Sequence, residues 1–277
     1  MSAHPVTPGW REIGDRVFVR RYRLYDQNIG LVLGDARALV IDTRSSPRQA
    51  NEVLRDAREV TARPIDLAIN THAHFDHCFG NQRLRPAPIY GHERCATALR
   101  ATGERQRARL LAAMPERADE WREIVVDPPD RTFAETARID LGGRIVELRH
   151  LGRGHTDNDV VVLVDNAGIV FAGDLLENGA PPSFTDAYPL DWPETASRLL
   201  ELMRDVVVPG HGDPGDREFA EDQLAGFLGV AELGRRVRRG ELSLDAAIGA
   251  GPYRAFGPDA SREAIERAIA QLEGRLD

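Results

Sequence analysis

The sequence predicts an α/β fold in which two sheets pack face to face with helices on their outer sides. Two observations carry this. Short β-prone runs separated by turn residues fill Val17 to Ile69 and again Arg138 to Ala172, and helical patterns accompany both groups. In the first half, Val17 to Tyr25, Ile29 to Leu33 and Ala38 to Asp42 read as an antiparallel meander punctuated by Asn28, Gly30, Gly34 and Asp35. Ser45-Ser46-Pro47 opens a helix whose apolar stripe is Val53, Leu54, Ala57 and Val60, and Pro64 stops it. Ile65 to Ile69 follows as a short buried strand. A strand at Ile89-Tyr90 and an arginine-rich helix from His92 to Met114 come next. Pro115 to Pro129 has no readable period and is taken as an insertion over the site.

In the second half, Arg138 to Leu141, Arg144 to His150, Val160 to Val164 and Ile169 to Ala172 read as strands, with Gly142-Gly143 and Asn166-Ala167-Gly168 as turns. A helix from Asp191 to Met203, a strand from Val206 to Val208 and a helical tail from Asp216 to Asp277 complete the chain. Pro252 and Pro258 break the tail, and Ser261 starts its last amphipathic helix. The expected organisation is one main domain over residues 1–220, with residues 221–277 as a C-terminal helical extension of the same domain. Those helices are candidates for a pocket cover or a homodimer contact.

Composition excludes several function classes. No apolar run in the 277 residues approaches the ~18 that a membrane helix needs, so no membrane partner is expected. Met1 to Arg23 contains no apolar signal core and carries seven charged side chains from Arg11 to Arg23, which predicts a cytoplasmic protein. Cys78 and Cys95 are the only cysteines, too few for a disulfide framework and consistent with small buried residues. The net charge of −8 argues against nucleic acid as partner, leaving a small-molecule substrate. All 36 basic residues are arginine, so no lysine nucleophile exists.

Chemistry concentrates after the Ile65 to Ile69 strand, in Asn70-Thr71-His72-Ala73-His74-Phe75-Asp76-His77. Imidazole nitrogens and a carboxylate so close together need a cation if buried, and both donor types suit divalent zinc. Three more candidates stand at later strand ends, each preceded by glycine: His155 after Gly154, Asp174 after Gly173 and His211 after Gly210. The set is then five histidines and two aspartates, more than one tetrahedral zinc takes, and it fits two ions sharing a carboxylate and a water. His4, His92 and His150 stay outside the set. Thr156 and Asp157 are candidates for fixing imidazole orientation. Phe75 and the loop Leu175 to Phe184, with Asn178 and Phe184 in it, are the candidate substrate lining.

With these motifs the sequence resembles the metallo-β-lactamase superfamily, which shares His-x-His-x-Asp-His, a later Gly-His-Thr, a Gly-Asp and a final Gly-His. All four occur here in order between His72 and His211. The resemblance implies an αβ/βα four-layer sandwich, here with extra C-terminal helices, and a metal site at one edge. It further implies that His72, His74 and His155 hold one metal, that Asp76, His77 and His211 hold a second, and that Asp174 bridges them. This set is similar to that of glyoxalase II-type thioesterases and acyl-homoserine lactonases. In β-lactamases with a cysteine on the second metal, that cysteine's place is taken here by Asp174.

The implied function is a metal-dependent hydrolase of a small carbonyl substrate, whether thioester, lactone, ester or amide. Two divalent ions, zinc first and iron as the option, would generate a bridging hydroxide, with Asp76 orienting it or carrying its proton. The competing reading is an oxidoreductase resembling the persulfide dioxygenases, with one iron on two histidines and one aspartate.

Overall fold

A computed structural model describes residues 9–276, so His4 and the first residues of the expected main domain lie outside the described residues. The strands are β1 (Arg11–Gly14), β2 (Val17–Tyr22), β3 (Gln27–Leu33), β4 (Ala38–Ile41), β5 (Leu67–Ile69), β6 (Ile89–His92), β7 (Arg131–Phe133), β8 (Thr136–Asp140), β9 (Ile145–Arg149), β10 (Val161–Val164), β11 (Ile169–Glu177) and β12 (Val206–His211). The helices are α1 (Pro47–Asp56), α2 (Phe75–Cys78), α3 (Glu93–Ala113), α4 (Ala118–Arg122), α5 (Trp192–Leu202), α6 (Arg217–Arg238), α7 (Leu244–Ala250) and α8 (Pro258–Leu272).

Local chemistry explains the helix starts. The Ser46 hydroxyl accepts from the Gln49 amide ahead of Pro47, and Asp216 and Ser243 cap α6 and α7 the same way. Strand alternation builds the layers. In β4, Val40 faces outward to Ala50 and Val53 of α1, while Leu39 and Ile41 face inward. In β10, Val161 and Leu163 face outward toward Trp192 and Leu199 of α5 and Phe227 of α6, while Val162 and Val164 face inward. The inward residues of both halves form one apolar core with Leu67, Ile69, Val146, Leu148 and Phe171. Helix, sheet, sheet and helix are thus the four layers, and α6 to α8 add to the outer helical layer. No helix among the described residues is long and apolar enough to cross a membrane.

Several expectations are corrected. The two sheets are not separate ladders: one path runs β7-β6-β5-β4-β3-β12-β11-β10-β9-β8, joined between β3 and β12 by the single pair Gln27 and His211. β11 does not end at Ala172, because parallel pairing with β12 carries it to Glu177, so Leu175 is a buried strand residue and not loop. Pro115 to Pro129 is no insertion over the site. It contains α4, whose Trp121 is fully buried against Ala73, Cys78, Phe79 and Leu99 behind α2. The last helix begins at Pro258, three residues before Ser261. β1 and β7 are additions, short and partly exposed, with too little alternation to announce themselves.

Candidate metal centre

Strand direction gathers the candidate residues. β4, β5 and β6 are mutually parallel, β11 and β12 are parallel, and two antiparallel steps separate β4 from β12 and β9 from β11. β5, β9, β11 and β12 therefore run in one sense. β5 and β9 end just before their loops carry His72 to His77 and His155 in, β11 bears Asp174 toward its end, and β12 ends on His211. Two glycines are needed for the approach. A side chain on Gly173, whose φ is +54°, would meet Thr71 Cβ at 2.8 Å, and one on Gly210 would meet Asp174 Oδ1 at 1.8 Å.

All seven expected donors converge, in two groups whose atoms lie within 4.8 Å of one another: His72, His74, His155 and Asp174, then Asp76, His77 and His211. His74 Nδ1 stands 3.0 Å from His72 Nε2 and 2.9 Å from His155 Nε2. His77 Nε2 and His211 Nε2 are 3.4 Å apart. Asp174 reaches both groups, with Oδ2 3.5 Å from His155 Nε2 and 3.2 Å from His211 Nε2. Asp76 Oδ2 lies 3.4 Å from His211 Nε2 and 3.5 Å from His77 Nε2.

The outward hydrogen bonds test whether a cation fits. His77 donates from Nδ1 to Asp42 Oδ2 at 2.8 Å, His74 from Nε2 to Asp186 at 3.0 and 3.1 Å, and His211 from Nδ1 to the Tyr25 carbonyl at 2.5 Å. The Thr71 hydroxyl spends its proton on Asp42 at 2.9 Å, so it accepts from His72 Nδ1 at 3.1 Å. These partners assign the neutral tautomers, and each of the four rings then turns a lone pair inward. Lone pairs about 3 Å apart repel, and tetrahedral ligands 2.0 to 2.1 Å from zinc would sit about 3.4 Å apart. The residues fit a bound metal.

Burial pushes every imidazole of the cluster down, and the nearby carboxylates decide which ones yield. Asp186 overrides burial and lifts His74 to about 9, Asp174 and Asp76 lift His211 to about 10, and His77 is raised well above its usual value by Asp174, Asp76 and Asp42. His72 stays well below its usual value and His155 falls to about 4, both through burial. Burial also pushes the Glu177 carboxyl up to about 8 and that of Asp159 to about 7.

His72 and His77 are sealed, whereas the side chains of His74 and Asp186 are 23% and 55% exposed, so the site opens there. Phe75, on α2, is half-buried and edge-on to Tyr25 at 5.2 Å. Asn178 donates its side-chain amide to the Asp213 carbonyl and clasps the loop after His211. Phe184 is 1% exposed and packs against Trp192 and Tyr253 in the core cluster under α5 and α6. Thr156 bonds Asp159, and Asp157 accepts from Asn158, so neither touches a ring of the cluster. His92 caps α3 and packs on His150 with the rings tilted and 4.2 Å apart, outside the cluster. Cys78 is buried and donates to the His72 carbonyl at 2.8 Å.

The family model described as the metallo-beta-lactamase superfamily matches residues 22–211, from β2 to the last donor. The chain belongs to the metallo-β-lactamase superfamily. Among curated relatives, the acyl-coenzyme A thioesterase MBLAC2 of Gallus gallus is 30% identical over 227 residues, 73% of this chain and 79% of that protein. The metallo-beta-lactamase type 2 of Bacillus cereus is 25% identical over 194 residues, 68% of each. Among solved structures, a metallo-beta-lactamase from Pontibacter korlensis matches the fold with a TM-score of 0.63 at 24% identity, over 79% of this chain and 98% of that one. This member of the superfamily is a metal-dependent hydrolase, and the dioxygenase-like alternative is not favoured by these relatives.

Proposed function

We propose that this superfamily member is a thioesterase that uses two divalent metal ions, zinc by preference, to cleave acyl groups from a small thiol carrier of the coenzyme A type. One observation carries the reading: the donors form two groups with the Asp174 carboxylate in reach of both, as two ions sharing a ligand require. His72, His74 and His155 would hold the first ion, and Asp76, His77 and His211 the second. The substrate class is supported by the thioesterase relative, which is 30% identical over 227 residues against 25% over 194 for the Bacillus lactamase. Aspartate at 174, where the resemblance puts cysteine in one group of β-lactamases, supports the same choice.

Two ions held there supply Lewis acidity to the carbonyl oxygen and bring water's pKa toward neutrality. The chain's own groups do the rest. Asp76 faces His77 and His211 and is the base that takes a proton from the attacking water on its carboxylate oxygen and returns it to the departing sulfur. Asp42, Asp186 and the Tyr25 carbonyl hold the imidazoles in fixed tautomers. Phe75 and Tyr25 supply an apolar rim for the acyl chain.

Elemental analysis combined with thiol release tests this. About two zinc per chain are expected, with thiol released from acyl-coenzyme A substrates, lost on chelation and restored by zinc. Metal-loaded protein that opens a β-lactam yet releases no thiol at any acyl length would overturn the reading.

A further inference from the structure

A second depression opens beside the loop that carries His155, and none of the seven candidate metal donors lines it. It is a cleft of about 370 Å³ lined by Arg94, His150, Arg153 and Arg198 together with Asp191 and Glu194. That volume is in the range of small-molecule sites. Three guanidinium groups against two carboxylates leave the lining with one formal positive charge, in a chain whose net charge is −8. Arg153 pairs with Asp191 at 2.6 Å and Arg198 pairs with Glu194, both solvent-exposed pairs of the kind a competing anion can displace. Arg94 differs. Among the described residues it has no carboxylate partner, and its guanidinium reaches only the Asp157 carbonyl at 3.4 Å.

The other two guanidinium groups are held in place. Arg153 lies 4.5 Å over the Tyr188 ring, and Arg198 donates to the Leu151 carbonyl at 2.8 Å. The Arg153 carbonyl accepts from Thr195 Oγ1 at 2.7 Å. Arg153 precedes His155 by two residues, so their Cα atoms are at most about 7 Å apart. One short loop thus supplies both the cleft, through Gly152 and Arg153, and the candidate donors, through His155.

We infer that this cleft binds the phosphate groups of a nucleotide-linked thioester while its acyl–sulfur bond lies at the metal centre. The inference rests on the thioester reading and deepens it, because it selects a phosphorylated carrier over a bare thiol. Planar guanidinium groups present paired N–H donors to phosphate oxygens, which a simple acyl thiol lacks.

The experiment compares metal-loaded wild type with Arg94→Gln, Arg198→Gln and the double variant on two substrates: an acyl-coenzyme A, and the same acyl group on pantetheine, which has no phosphate. The ratio of kcat/KM for the first to that for the second is expected to fall about tenfold in each single variant and further in the double. An unchanged ratio in the double variant overturns the inference. Calorimetric titration with free coenzyme A separates the two readings. Binding by wild type that is lost in the double variant supports the cleft even if no thioester is cleaved, in which case the thioesterase reading is what fails. Thioester cleavage without coenzyme A binding overturns the cleft alone.

Discussion

At the level of single residues, the candidate donors are arranged by groups outside the candidate ligand set. Asp186 accepts both contacts from His74 Nε2 and so points Nδ1 at His72 and His155. Asp186→Asn keeps the size, but its amide need not accept from that N–H, so the ring loses its fixed tautomer and a source of basicity. We expect metal affinity, read by competition with a chromophoric chelator, to drop about 10- to 100-fold while the fold is retained. Wild-type affinity in this variant would remove Asp186 from the account. The seven converging residues were legible because histidine is scarce in this chain, eight in all, and five of them fall in three short motifs after predicted strands, with Asp76 and Asp174 beside them. Asp42 and Asp186 were not legible. Each is one of many acidic residues, and only the folded chain reveals which ones come within 3 Å of an imidazole. Asp42 did leave a trace, an acid directly after the apolar run Ala38–Ile41.

Among the elements, α2 is too short to hold itself and depends on what packs behind it. Trp121 of α4 is fully buried against Ala73, Cys78 and Phe79, and its indole N–H donates to the Met114 carbonyl at 3.2 Å. α4 is also tied to α1, because Glu120 accepts from the Ser46 hydroxyl at 2.5 Å and the Gln49 amide at 2.7 Å. Trp121→Ala should therefore cost about 3 to 5 kcal/mol in urea unfolding, and α2 should lose hydrogen-exchange protection with it. A loss below about 1 kcal/mol would mean that the segment lies loosely on the surface. Long periodic elements such as α3 and α5 were visible in sequence within a residue, and α1 at its start, although it ends at Asp56, before Val60 of the expected stripe. Residues 115–129 were not, because their charged composition hides one tryptophan that does the packing. β11 was cut short for a related reason: Asp174 and Glu177 are polar, yet parallel pairing with β12 and proximity to the metal donors bury both.

On the scale of the whole molecule, the candidate centre is shared between the two halves. His72, His74, Asp76 and His77 come from the first, and His155, Asp174 and His211 from the second. Between the half-sheets the hydrogen-bonded ladder narrows to the pair Gln27 and His211, and Gln27 also donates its side-chain amide to the Asp76 carbonyl. The apolar core between the sheets draws on both halves and does not involve the donors, so metal-free protein should stay folded. What it should lose is the cross-link. A ligand present at about 1,000 times its dissociation constant adds about 4 kcal/mol to the folded state. In a chain of this size 1 kcal/mol moves the midpoint by roughly 2 to 4 °C, so chelation should lower Tm by on the order of 10 °C, reversibly on adding metal back. Hydrogen exchange should quicken first along β3, β12 and the loops after β5 and β9, while α7, packed on α6 and α8, keeps its protection. A chelated chain with unchanged Tm and unchanged exchange at the seam would show that the core alone fastens the halves, and that metal serves the chemistry only.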